Sequence, residues 1–217
     1  MRIACIGYRK WALNIYDSLE KSTSDTYYII RSKLDFDELL LRNFNPDLIL
    51  FYGWSWRVSV ELLNDFICLM LHPSPLPKYR GGSPIQNQII LGEKKSKVSI
   101  FIMSSEIDAG DIVEQESISL EGSIDRIFQE IERVGIRLTL DLIRNGMNPW
   151  PQDNSNASYF KRRTAADSEI TLDEISGKSA QYLYNKIRML NDPYPNAFIK
   201  TQDGKKLMLI TAKIEDD

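Results

Sequence analysis

The chain has 217 residues, 43% hydrophobic and 26% charged, enough to bury the core of one large domain or of a domain with a modest appendage. Its formal net charge of -3 gives no electrostatic footprint for nucleic acid or a membrane surface, and no run approaches the ~18 apolar residues of a membrane span. The start, MRIACIGYRKW, reaches charged residues too early for a signal-peptide apolar segment, which predicts a cytoplasmic protein.

The first half alternates short apolar runs with helix-like segments. RIACIG (Arg2–Gly7) reads as a strand, and Trp11, Ala12, Ile15, Tyr16 and Leu19 then recur at helical spacing. TYYII (Thr26–Ile30), DLILFYG (Asp47–Gly53) and FICLML (Phe66–Leu71) read as further strands, separated by the short helices FDELLLRN and VELLN. Runs this continuously apolar suit strands covered on both faces. Ser83, Pro84 and Gly92 mark the start and stop of a helix over SPIQNQIILG, and VSIFIM (Val98–Met103) gives another strand. From Ser123 to Asn145, the positions Ile124, Ile127, Phe128, Ile131, Val134, Leu138 and Leu142 form one helical stripe, read as core.

NPWPQDNSNAS (Asn148–Ser158) is polar and proline-bearing, so it reads as a linker. Beyond it the pattern predicts a helix near Ser176–Leu190 and a hairpin turning at Asp203-Gly204. The expected organisation is therefore a catalytic domain over 1–147, a linker over 148–158 and a small helix-and-hairpin subdomain over 159–217. Such alternation predicts an α/β fold: a Rossmann-like, mostly parallel sheet with helices on both faces.

Little chemistry is on offer. Gly7 follows the first strand, but GYRKWA lacks the further glycines of a dinucleotide fingerprint. Cys5 and Cys68 lie in apolar runs and read as buried free thiols, and no cluster with zinc-ligand spacing is present, so no metal is expected. The single histidine, His72, lies at the end of a predicted central strand, where open α/β sheets place their ligands. Pro73, Pro75 and Pro77 stiffen the turn after it, and Gly81-Gly82 allow close approach of a backbone or ligand. SSEIDAGDI (Ser104–Ile112) follows the next strand and brings Asp108, with Glu106 and Asp111 nearby, to the same sheet edge. A carboxylate beside an imidazole makes an acid–base pair.

The stretch LHPSPLPKYRGGSPIQNQIILGEKKSKVSIFIMSSEIDAGDIV resembles the core of the 10-formyltetrahydrofolate-dependent formyltransferases. That family's pattern is Asn-x-His-Pro-Ser-x-Leu-Pro, a Tyr-Arg-Gly turn, a Pro-Ile-Gln helix and an Asp-x-Gly-Asp-Ile loop. The resemblance implies that His72 and Asp108 are catalytic and that 10-formyltetrahydrofolate is the formyl donor. One position departs. The family places asparagine two residues before the histidine, where its amide helps hold the developing oxyanion, and this chain has Met70. Losing one such donor costs about 100- to 1000-fold in turnover unless another group substitutes.

By the same resemblance, the pterin lies between YGWSWRV (Tyr52–Val58) and Met103–Asp108, which points to Tyr52, Gly53, Trp54, Ser55, Trp56, Met103, Ser104 and Ile107. YFKRRTAADSEI and IRMLNDPYPNAF resemble the region after the linker in methionyl-tRNA and sugar-nucleotide formyltransferases, and the short C-terminal hairpin with no room for a further barrel favours the sugar-nucleotide type. The expected acceptor is the amine of a nucleotide-linked amino sugar, with a 4-amino-4,6-dideoxy sugar of bacterial surface-polysaccharide synthesis, of the pseudaminic-acid type, as the leading choice. Candidate contacts are Ser74, Lys78, Arg80, Tyr159, Arg162 and Arg163, with Lys161 beside them. No nucleic-acid or membrane partner is expected, and a homodimer stays open. A formyltetrahydrofolate hydrolase and a non-catalytic folate or nucleotide-sugar binder, the latter motivated by Met70, are the competing readings.

Overall fold

The computed structural model describes residues 1–191 and 194–215; Asp192 and Pro193, part of the IRMLNDPYPNAF element, lie outside the described residues. In chain order the elements are β1 (Arg2–Ile6), α1 (Lys10–Ser22), β2 (Thr26–Ile30), α2 (Glu38–Phe44), β3 (Leu48–Leu50), α3 (Val60–Asp65), β4 (Cys68–His72), β5 (Arg80–Gly81) and α4 (Pro84–Ile90). They continue as β6 (Lys95–Ile102), β7 (Ile112–Ser119), α5 (Ile124–Asn145), β8 (Tyr159–Phe160), α6 (Leu172–Gly177), α7 (Ala180–Arg188), β9 (Ala197–Lys200) and β10 (Lys206–Leu209).

The central sheet has the order β2-β1-β3-β4-β6-β7. The first four strands are parallel, while β6 runs antiparallel to β4 and β7 antiparallel to β6. The sheet is thus an α/β, Rossmann-like sheet with an antiparallel edge. β3 returns on the opposite side of β1 from β2, and ligands of open α/β sheets bind outside the carboxyl ends of strands at such a switch point.

Alternate strand residues divide the core. Ile3, Cys5, Leu50, Leu69 and Leu71 pack with the apolar stripes of α1 and α5, whereas Ala4, Ile6, Ile49, Phe51 and Cys68 face Leu41 of α2 and Leu62 of α3. Each buried Leu or Ile of this kind contributes about 1.5–3 kcal/mol of transfer free energy. The Tyr16 hydroxyl, fully buried on α1, accepts from the Tyr52 N–H at 2.6 Å and points its own proton at the Leu50 and Ile6 carbonyls, at 2.9 and 3.0 Å. It thereby ties the helix to the ends of β1 and β3, the rim where the site forms.

Four expectations need correction. β4 begins at Cys68, because Phe66 still closes α3 through its N–H to the Leu62 carbonyl, so His72 is itself the last strand residue. The helix expected near Ser176–Leu190 is two helices, since Thr171 and Ser179 each cap a separate start. Ser83 precedes α4, but its hydroxyl does not cap it and accepts instead from the Arg163 N–H at 3.1 Å. β7 had no counterpart in the expected elements. The hairpin turn falls between β9 and β10, with Gly204 at φ +76°. Among the described residues no helix is long and apolar enough to cross a membrane.

Candidate active site

His72 closes β4 with its imidazole buried at 5% exposure. Its Nε2 lies 2.8 Å from the Tyr79 carbonyl oxygen. A carbonyl only accepts, so Nε2 carries the proton of the neutral ring and Nδ1 is its acceptor nitrogen. Nδ1 lies 3.6 Å from Oδ2 of Asp108, whose side chain is 10% exposed. Asp108 has φ +53°, a left-handed conformation that aspartate tolerates better than most residues. Its Oδ2 also accepts the Gly81 N–H at 2.7 Å. A carboxylate and an imidazole thus face each other with no intervening backbone.

The turn between them is fastened from within. Ser74 donates to the Lys78 carbonyl at 2.8 Å, and Ser99 of β6 donates to the Ser74 carbonyl at 2.6 Å. Gly81 and Gly82 then meet the chain near β8. A Cβ on Gly81 would sit 2.4 Å from the Phe160 carbonyl oxygen, and one on Gly82 would sit 2.4 Å from Arg162 backbone atoms. The glycine pair is what lets β5 and β8 pair, and that pairing carries Arg162 and Arg163 to the site.

A cleft of about 760 Å³ opens at this edge, lined by His72, Asp108 and Met70 among others. Part of the lining is apolar and aromatic, with Trp54, Trp56, Val58 and Leu63; the Trp54 and Trp56 ring centroids are 4.7 Å apart. Arg9, Gln86, Phe128, Arg162, Arg163 and Tyr194 also line it, and Arg162 donates to the Ser55 hydroxyl, between the two tryptophans, at 2.8 Å. The Arg9 guanidinium lies over the Tyr194 ring at 5.3 Å, and Phe128 stacks on Tyr194 at 5.8 Å. Among the described residues, three buried donors on side chains of this lining have no partner: Trp54 Nε1, Gln86 Nε2 and Arg163 Nε.

The residues singled out from the sequence fall into two groups. Gly53, Trp54, Ser55, Trp56, Met103, Ser104, Ile107, Arg162 and Arg163 line the cleft together with His72 and Asp108. Tyr52, Ser74, Lys78, Arg80 and Tyr159 are not part of its wall. Tyr52 is fully buried against α5, donating to Thr139 at 3.0 Å. Ser74 is fully buried in the turn, and Lys78 is exposed beyond it. Arg80, expected to meet substrate phosphate, is 1% exposed and binds Gln152, Asn154 and Tyr159 instead. Sequence reasoning missed Arg9, Gln86 and Tyr194, and it assigned Phe128 to the core because its helical spacing matches that of its buried neighbours.

Comparison with known proteins accords with this geometry. Residues 2–134 match the formyl transferase family, and the chain belongs to it. Methionyl-tRNA formyltransferase of Rickettsia prowazekii (strain Madrid E) is 32% identical over 170 residues, covering 76% of this chain and 54% of that protein. The chain thus spans about half the length of the curated relatives it matches. A solved methionyl-tRNA formyltransferase chain from Clostridium thermocellum is 30% identical with a TM-score of 0.84, 96% of each chain being covered. A sugar N-formyltransferase from a Shewanella species shares the fold at 18% identity and a TM-score of 0.74, with 100% of this chain and 99% of that one covered.

Proposed function

We propose that the cleft transfers a formyl group from 10-formyltetrahydrofolate to the primary amine of a nucleotide-linked amino deoxysugar. The observation that carries this reading is the His72–Asp108 pair, 3.6 Å apart, in one cleft that tryptophans and arginines also line. The Trp54 and Trp56 rings suit a flat folate ring. Arg9, Arg162 and Arg163 offer donors suited to a diphosphate, and Tyr194 offers an aromatic face.

When bound, the folate supplies the formyl carbon. An attacking amine must lose a proton as its nitrogen bonds to that carbon, and Nδ1 of His72 is the free base that takes it. The imidazolium so formed faces the Asp108 carboxylate, which stabilises it and holds the ring in place. His72 then returns the proton to the departing nitrogen. Met70 supplies no donor for the oxyanion, so the imidazolium or another group in the cleft takes that role. The formamido product suits incorporation into a bacterial surface polysaccharide, from synthesis in the cytoplasm.

Methionyl-tRNA is the second acceptor to weigh, because relatives at 30% and 32% identity carry that name. The net charge of -3 speaks against a large polyanion. One assay separates the readings: incubation with 10-formyltetrahydrofolate alone, with a panel of amino-sugar nucleotides, and with methionyl-tRNA. Tetrahydrofolate release that needs an amino-sugar nucleotide supports the proposal. Release with methionyl-tRNA assigns the other acceptor, release without any acceptor means hydrolysis, and binding without release means a non-catalytic module.

A further inference from the structure

The segment read from sequence as a linker contains Gln152, a side chain only 8% exposed. Its amide makes four hydrogen bonds. Nε2 donates to the Asp108 carbonyl at 3.0 Å and to the Gly110 carbonyl at 2.7 Å. Oε1 accepts from Arg80 Nε at 3.2 Å and Nη2 at 2.7 Å. Carbonyls only accept and a guanidinium only donates, so the amide can face just one way, and all four of its bonding positions are filled.

What it joins is the site itself. Arg80 stands between Tyr79, whose carbonyl holds His72 Nε2, and Gly81, whose N–H holds Asp108 Oδ2. Three consecutive residues therefore grip the histidine, Gln152 and the aspartate in turn. On the far side of Gln152, the Asp108 backbone has φ +53°, which a residue with a Cβ keeps only where its surroundings enforce it. Gly110 is pressed against β6, where a Cβ would lie 1.8 Å from the Ile102 carbonyl oxygen. Ser104 to Ile107, just before Asp108, are exposed. Besides the Asp108 carboxylate itself, Gln152 fastens this loop to the turn, and it does not line the cleft.

We propose that Gln152, braced by Arg80, is a positioning residue for the transfer step: it sets the Asp108 loop against the catalytic turn and so fixes the spacing of Asp108 and His72. The inference rests on the formyl-transfer reading above. A displacement of about 1 Å in such a pair lowers turnover by up to about 100-fold.

The test uses Gln152→Glu and Gln152→Leu in the full chain. The Glu variant keeps an acceptor for Arg80 and removes both donors into the loop; the Leu variant removes everything. Both are expected to lose about 10- to 100-fold in kcat with KM for donor and acceptor nearly unchanged. His72 is the single histidine, so its imidazole resonances are read by NMR without assignment, and they should move in both variants as they move in Asp108→Asn. A general loss of stability leaves those resonances in place below the melting temperature. Wild-type kcat in a folded Gln152→Glu protein, or unmoved His72 resonances, overturns the proposal. So does failure of both variants to fold, since Gln152 then serves the fold rather than the step. If the wild-type protein transfers no formyl group, the functional reading fails, and the NMR arm still decides whether Gln152 positions Asp108.

Discussion

The Tyr79 carbonyl oxygen lies 2.8 Å from His72 Nε2, while Asp108 Oδ2 lies 3.6 Å from Nδ1 on the other side of the ring. The backbone contact settles the tautomer before any substrate arrives, and it leaves the base nitrogen toward the carboxylate. Asp108 is therefore not needed to choose the tautomer. In the proposed transfer its work is to stabilise charge on Nδ1 and to hold the ring.

That division separates two variants. His72→Ala removes the base and should lower turnover by about 100- to 10,000-fold. Asp108→Asn keeps an oxygen for the Gly81 N–H and tolerates the left-handed backbone, so it should fold normally and still lose most activity. Asp108→Ala adds backbone strain of roughly 1–2 kcal/mol, because alanine resists φ near +53°. Thermal melts with steady-state kinetics check both points. A fully active, normally stable Asp108→Asn protein removes the carboxylate from the mechanism.

Met70→Asn tests the departure from the family pattern. Met70 is partly buried and packs against Leu76, Phe101 and Ile112. An amide placed among these side chains without partners costs roughly 1–3 kcal/mol, so the melting temperature should fall. Turnover should change by no more than about tenfold, because in the proposed mechanism another group already substitutes for the missing donor. A gain beyond roughly 100-fold shows that no substitute exists and makes the wild type a weak catalyst or a binding module.

How much of this could be read in advance follows from where each residue's role resides. β1, β2, α1 and α5 were legible because unbroken apolar runs and a 3.6-residue stripe encode them locally. β7 was not, since Glu114, Gln115, Glu116 and Ser117 interrupt its apolar residues; at the sheet edge, with one strand neighbour, it needs no continuous apolar run. The meeting of His72 and Asp108 at one sheet edge was legible through motif and spacing. Arg80 misled because a charged side chain beside a catalytic turn reads as a ligand contact, whereas tertiary packing buries it against Gln152. Gln86 and Gln152 carry no local signal, since their significance lies in partners absent or distant along the chain.

The cysteines give a stability probe. Cys5 and Cys68 are both buried, and burial pushes the Cys68 thiol up to about 12 and raises the Cys5 thiol well above its ordinary value. At pH 8 the thiolate, the reactive form, is then scarce in the folded protein. Labelling by a disulfide reagent should be slow in buffer and rapid in denaturant. Fast stoichiometric labelling of the native protein contradicts the packing of β1 and β4.

Gln86 offers the sharpest split between binding and stability. The residue is 3% exposed, lines the cleft and has no partner for Nε2 among the described residues; the Tyr194 hydroxyl lies near the amide without hydrogen-bond geometry. A buried unpaired amide destabilises the free protein, so Gln86→Met should leave the melting temperature unchanged or raise it. If an oxygen of the acceptor satisfies this donor, the same variant should raise acceptor KM by about 2- to 10-fold, the effect of one neutral hydrogen bond. Melting curves and initial rates at varied acceptor concentration measure both effects on one preparation. A lower melting temperature with unchanged acceptor KM makes the amide part of the packing and moves the acceptor contact to other residues of the cleft.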